Sequence, residues 1–208
     1  MFSPDIKFTR FVLFTNGLVP ALLLAWDAYQ QKLGANPIEF ATRATGALTL
    51  VFLLITLAVT PLRRLTGWNW LVKFRRLLGL YSFFYGFLHL LTYAWFDKFF
   101  SAREIAEDVY ARPFITVGMA SFLLLVPLAA TSTGDMIKRL GGKRWAKLHK
   151  LTYVAAIGGV IHYYMGVKAD TTLPIIFAVV LAVLLGYRWV RSRLDAPTKN
   201  DTLGIPSR

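Results

Sequence analysis

Apolar residues fall along the chain in six long runs separated by polar connectors: Phe8 to Trp26, Ala41 to Thr60, Leu77 to Phe96, Phe114 to Ala130, Leu151 to Val167 and Leu173 to Trp189. Each run holds 17 to 20 residues. Coiled as a helix rising about 1.5 Å per residue, that is enough to cross a hydrocarbon core of about 30 Å. The pattern predicts an all-α integral membrane protein, a six-transmembrane-helix bundle. Punctuation agrees with it. Gly34 and Pro37 break the first connector, Pro61 is expected to end the second run, and Gly141-Gly142 interrupts the stretch 131–150. Pro20 is expected to kink the first helix. Within the connector Asp97 to Pro113, Ser101 followed by Glu104 and Glu107 reads as the cap of a short helix. The turn Lys168 to Thr172 is so short that the fifth and sixth runs must be antiparallel neighbours. The first run is too long for a signal-peptide core, and Ala25-Trp26-Asp27 is a poor cleavage pattern, so it reads as an uncleaved span. Residues 1–190 form one membrane domain, and 191–208 read as a disordered cytoplasmic tail.

Charge sets the orientation. The net charge of +13 would suit nucleic acid, but 18 of the 24 Lys and Arg residues lie on one side of the predicted bundle. They occupy the N-terminus, the connectors 61–76 and 131–150, and the C-terminal end, which assigns them to the cytoplasmic face and makes both termini cytoplasmic. The chain has no cysteine, which excludes disulfides, thiolate metal sites and cysteine-ligated clusters and leaves histidine as the ligand for a redox metal. No paired carboxylates, nucleophile elbow or phosphate-binding glycine loop supports hydrolytic or nucleotide chemistry.

The chain has three histidines. His89 and His162 lie mid-run, where an ionisable residue is a functional-site hypothesis by default. His89 is twelve residues past Leu77 and His162 eleven past Leu151, on two runs that travel in the same direction. Both therefore lie about 17 Å beyond the inner edge, at a depth where they can clamp one haem iron from opposite faces. Gly158, Gly159 and Gly166 around His162, and Gly79 and Gly86 before His89, either admit a flat macrocycle or merely allow close helix packing. His149 stands thirteen residues before His162, about 140° away on an ideal helix. Three roles suit it: a ligand of a second haem, part of a flavin site with Arg75, Arg76, Lys143 or Arg144 on phosphate and Trp145 near the ring, or a plain surface histidine. A histidine proton relay in a channel or transporter, and an assembly factor without a cofactor, are the alternatives from other classes.

The runs GANPIEF, RRLLGLYSFFYGFLHLLTYAW, RPFITVG and TSTGDMIKRLGGKRWAKLHKLTYVAAIGGVIHYY, in this order across nearly the whole chain, carry a family resemblance. The chain resembles the ferric-reductase-like transmembrane domains, and among them the haem-binding membrane subunits of bacterial periplasmic methionine-sulfoxide reductase systems. The resemblance implies haem b, one or two per chain, and FMN. It implies residence in the bacterial inner membrane, with electrons drawn from quinol or a cytoplasmic flavin reductase and passed to MsrP, a periplasmic molybdopterin enzyme that repairs oxidised methionine. It puts His89 and His162 at the haem-ligand positions, with His149 as the third family histidine. A metal-ion reductase of the same fold would differ only in its acceptor. No pocket for methionine sulfoxide is expected in this chain, and the loop Asp97 to Pro113 is the candidate docking surface for the partner.

Overall fold

The structure is a computed structural model and describes residues 4–195. Nine α-helices are described: α1 (Ile6–Tyr29), α2 (Pro37–Thr66), α3 (Arg75–Thr92), α4 (Ala102–Ala111), α5 (Pro113–Ala130), α6 (Gly134–Leu140), α7 (Gly142–Leu148), α8 (Leu151–Gly166) and α9 (Thr172–Leu194). A 3-10 segment, Asn69–Phe74, leads into α3, and a wider π-type turn, Tyr93–Asp97, leads out of it. No strand occurs among the described residues. Five segments are long and apolar enough to cross a membrane: α1, α2, α3 with its flanking turns, α5 and α9. The sixth expected span, α8, has 16 residues, a length of about 24 Å, and stops where Val167 turns extended.

Local chemistry starts and stops these helices. The Asn36 side chain accepts from the Glu39 backbone N–H at 3.1 Å and donates to its carboxylate at 3.0 Å, ahead of Pro37 in the first turn of α2. Gly67, with φ of 73°, closes α2 in the left-handed conformation that glycine adopts without strain. Ser101 caps α4 as expected, and Thr133 caps α6 through the Met136 N–H at 3.2 Å.

Two long pairs, α2 with α3 and α5 with α8, form the bundle, and α9 packs against both α2 and α8. Leu50, Leu53, Leu54 and Leu57 of α2 meet Leu125 and Leu128 of α5, Ala155, Ala156 and Val160 of α8, and Leu181 of α9 in the buried core. Helix α1 is peripheral. It is fastened by two tyrosines of α3: Tyr81 donates to the Phe14 carbonyl, and Tyr85 donates to that of Gly17 at 2.6 Å.

The bundle has a basic end, where α2 and α9 finish and α3 and α8 begin, and an opposite end, where α3 and α8 finish. Three boundaries differ from the sequence expectation. Pro61 does not end α2, which runs on to Thr66. A proline lacks the N–H that would bond the carbonyl four residues back, here that of Leu57. Arg188 of α9 supplies the missing donor, its Nη2 lying 2.7 Å from that oxygen. The stretch 131–150 folds into α6 and α7, and His149 caps the C-terminus of α7, so it does not share a continuous helix with His162. Helix α9 continues to Leu194, past the expected boundary at 190, while 196–208 of the expected disordered tail lie outside the described residues.

Candidate cofactor site

The histidine pair is built twice by the same local device. His89 of α3 lies with its Nδ1 2.8 Å from the Thr42 carbonyl of α2. His162 of α8 lies with its Nδ1 2.6 Å from the Phe114 carbonyl of α5. A carbonyl only accepts, so each Nδ1 carries a hydrogen, and the tautomer this selects has its lone pair on Nε2. Four residues after each carbonyl, where the next turn of helix would crowd the ring, stands a glycine. A Cβ on Gly46 would lie 3.0 Å from the His89 Nδ1, and one on Gly118 would lie 2.5 Å from that of His162. The carbonyl orients the ring, and the missing side chain gives it room.

The two rings face each other with centres 5.9 Å apart and planes 76° apart. Phe114 stacks on His162 with ring centres 6.0 Å apart. Around them lies a cavity of about 300 Å³ with apolar walls from Leu50, Leu53, Phe122 and Leu125 and a polar margin of Arg43, Tyr93, Asp97 and Arg112. Arg112 lies over the Phe114 ring at 5.7 Å and pairs with Asp108, which also takes Lys98 at 2.8 Å and the Tyr93 hydroxyl at 2.9 Å. That cluster pins α4 against the start of α5.

The other expected site residues are placed differently. His149 is at the basic end, its ring stacked on Trp145 at 3.9 Å. The Thr131 hydroxyl donates to the Pro127 carbonyl at 2.6 Å, so the His149 Nε2, 3.2 Å from that hydroxyl, is the donor to it. Burial, and secondarily the charge of Arg75, hold His149 below its ordinary pKa. Arg76, expected on a flavin phosphate, is exposed in the first turn of α3 and makes no hydrogen bond or ion pair among the described residues; Arg75 is the arginine that faces His149. Lys143 and Arg144 are exposed on α7.

The glycines divide. Gly86, Gly159 and Gly166 line the cavity. Gly158 lets α8 lie against Ser121 of α5, and Gly79 faces Thr56 of α2 at 3.7 Å, so these two serve helix packing. Gly46 and Gly118, which bear directly on the histidines, were missed from sequence. The signal was there as a pairing of Thr42 with Gly46 and Phe114 with Gly118 at a spacing of four, but it means nothing until the histidine that fills each gap is known.

Residues 42–160, which contain His89, the Thr42 carbonyl, Gly46 and most of α8, match the family described as ferric reductase like transmembrane component. The chain belongs to that class of membrane proteins. Within it, the chain is 54% identical over 184 residues to the protein-methionine-sulfoxide reductase heme-binding subunit MsrQ of Herminiimonas arsenicoxydans, covering 88% of this chain and 84% of the relative. Identity with the MsrQ of Azospira oryzae is 54% over 89% of this chain and 80% of the relative, and with that of Rhodospirillum rubrum 50% over 87% of each. The chain is thus a member of the MsrQ family of heme-binding subunits.

Proposed function

We propose that this chain holds one haem b between His89 and His162 and carries electrons across the bacterial inner membrane to a periplasmic methionine-sulfoxide reductase, MsrP. The spacing of the two rings is the observation that carries this reading. A metal–imidazole bond of about 2.0–2.1 Å, on the scale of zinc sites, plus about 1.1 Å from ring atom to ring centre for bonds near 1.33 Å, separates two opposed rings by about 6.3 Å. The centres here are 5.9 Å apart with both Nε2 lone pairs free. Edge-to-face ring contacts also lie about 4.5–7 Å apart, so the spacing counts together with the shared orientation: each Nδ1 is bound to a carbonyl, which leaves the Nε2 of both rings for a ligand in the cavity they line. A proton relay fits less well, because each Nδ1–H is fixed on a backbone carbonyl.

When bound, haem b supplies a one-electron Fe(III)/Fe(II) couple. His89 and His162 would hold its iron through their Nε2 atoms, the carbonyls of Thr42 and Phe114 orient the two rings and would raise their basicity as ligands, and the leucine and phenylalanine walls exclude water. Arg43 and Arg112, the cations at the cavity margin, suit the haem carboxylates. In this reading α8 is the sixth crossing, both termini are cytoplasmic, and the histidine pair lies toward the periplasmic side. Electrons enter at the basic end near His149, from quinol or a flavin reductase, with FMN held there, and leave past the loop Asp97 to Pro113, where the partner docks. The chain itself performs no methionine-sulfoxide chemistry. Reconstituted in sealed vesicles with its basic end outward, the protein should let NADH and a flavin reductase outside reduce MsrP trapped inside, and His162→Ala should abolish this. Equal reduction in vesicles lacking the protein, or with the variant, would refute the reading.

A further inference from the structure

We propose that α1 is the interface for a second copy of this chain, paired through Asn16. Eight residues past Phe8 and ten before Trp26, Asn16 lies near the middle of an apolar segment long enough to cross a membrane, and it is exposed. One N–H of its amide donates to the Val12 carbonyl of the same helix at 2.8 Å; the other N–H and the carbonyl oxygen make no hydrogen bond among the described residues. A donor and an acceptor therefore face hydrocarbon, which can bond neither, and leaving them open there is unfavourable. A neighbouring helix that offers the same two groups satisfies both.

Three features select a second copy as that neighbour. Copies of one chain insert in the same orientation, so a two-fold axis along the membrane normal sets Asn16 opposite Asn16, and each amide oxygen takes the open N–H of the other. Thr9, Val12, Asn16, Val19, Leu23 and Trp26 recur at alternating spacings of three and four, the seam of a two-stranded coiled coil. Asparagine at one seam position is the device by which such coils fix register and strand number. Val19, Leu23 and Trp26 are 41%, 56% and 56% exposed, so this seam is open. The side of α1 that packs on its own bundle is a different one: Leu13, Gly17, Pro20 and Leu24, each buried or half-buried, stand one residue further on, about 100° round the helix. That angle leaves room for another helix, and α1 is the least buried of the five long segments. The histidine pair plays no part in this inference, so its failure leaves the haem reading standing.

The chain has no cysteine, so a single introduced one reports contact without background. In membranes of cells producing the full chain, Leu23→Cys, on the seam, should give a disulfide-linked dimer on oxidation with copper phenanthroline. Ala25→Cys, exposed on the side of α1 about 180° from Asn16, should not. Adding Asn16→Val to Leu23→Cys should lower the linked fraction severalfold, and in detergent, by sedimentation, Asn16→Val alone should weaken the dimer by about 3- to 30-fold. Asn16→Gln keeps the amide and should retain the dimer, which separates lost hydrogen bonding from a damaged fold. Absence of linkage at Leu23→Cys, equal linkage at Ala25→Cys, or linkage undiminished by Asn16→Val would overturn the proposal. So would a dimer weakened as much by Asn16→Gln as by Asn16→Val.

Discussion

Adding a single methyl group at Gly118 tests the geometry of the histidine pair. The new Cβ would lie 2.5 Å from Nδ1, 2.7 Å from Cε1 and 3.0 Å from Cγ of His162, where ordinary contact begins at 3.4 Å. The ring must retreat by about 0.9 Å, and its Nδ1–H is held by the Phe114 carbonyl at 2.6 Å. A retreat of that size takes the bond past the usual limit of about 3.2 Å. Losing it costs about 1–3 kcal/mol, and second-shell partners of metal ligands typically govern about 10- to 100-fold in affinity. Gly118→Ala should therefore lower haem affinity by that factor. Gly46→Ala, where the same construction leaves 3.0 Å to His89, should do so less, and Gly79→Ala, at 3.7 Å from Thr56, should not do so at all. The assay is haem per protein after purification, with the rate of haem loss to an excess of apomyoglobin, alongside circular dichroism to check folding. Equal loading and equal loss across all three variants would refute the assignment of Gly118 as the residue that makes room for the ring.

Arg188→Met should leave the Leu57 carbonyl unpaired beside Pro61 and destabilise the bundle by about 1–3 kcal/mol, read as a lowered thermal midpoint in detergent; an unchanged midpoint would show that water satisfies that oxygen as well. His149 is held below its ordinary value in the folded chain, so the unfolded chain takes up that proton first. Its contribution is complete above about pH 6.5 and is lost as pH falls below that value. Thermal midpoints should drop on acidification in this range, and His149→Gln should remove that part of the slope; a parallel slope in the variant would exclude the histidine as its source. The planes of His89 and His162 stand 76° apart, and an iron held between them would have the d orbitals that bond with the two rings nearly equal in energy. Paramagnetic resonance of the oxidised protein should show one strongly anisotropic low-spin signal, and the well-spread rhombic spectrum of parallel rings would contradict the observed geometry.

Hydropathy alone was enough to locate the long apolar helices, because a run such as Ala41 to Thr60 has no other stable arrangement in lipid. It also brought His89 and His162 to one depth, since depth along a helix follows from counting residues. What counting could not reach was rotation and long-range pairing. Pro61 looked like a terminator because its rescue comes from Arg188, more than a hundred residues away. Gly118 was visible only as part of a family motif, because the ring it accommodates belongs to α8. The single-helix geometry assumed for His149 and His162 failed for a local reason: the connector broke at His149, where the side chain turns back to Thr131 and Trp145 instead of continuing the helix. Of the arginines expected near His149, Arg75 is half-buried and the next residue, Arg76, is exposed, a difference of helical rotation that residue counting does not give.

The central claim is that His89 and His162 share one iron. Absorption spectra of the purified protein, oxidised and dithionite-reduced, beside His89→Ala and His162→Ala, test it most directly. The account predicts a low-spin b-type haem spectrum in the wild type that is lost in either variant. Wild-type protein produced with ample haem and showing no such spectrum, or both variants retaining it at full intensity, would contradict it.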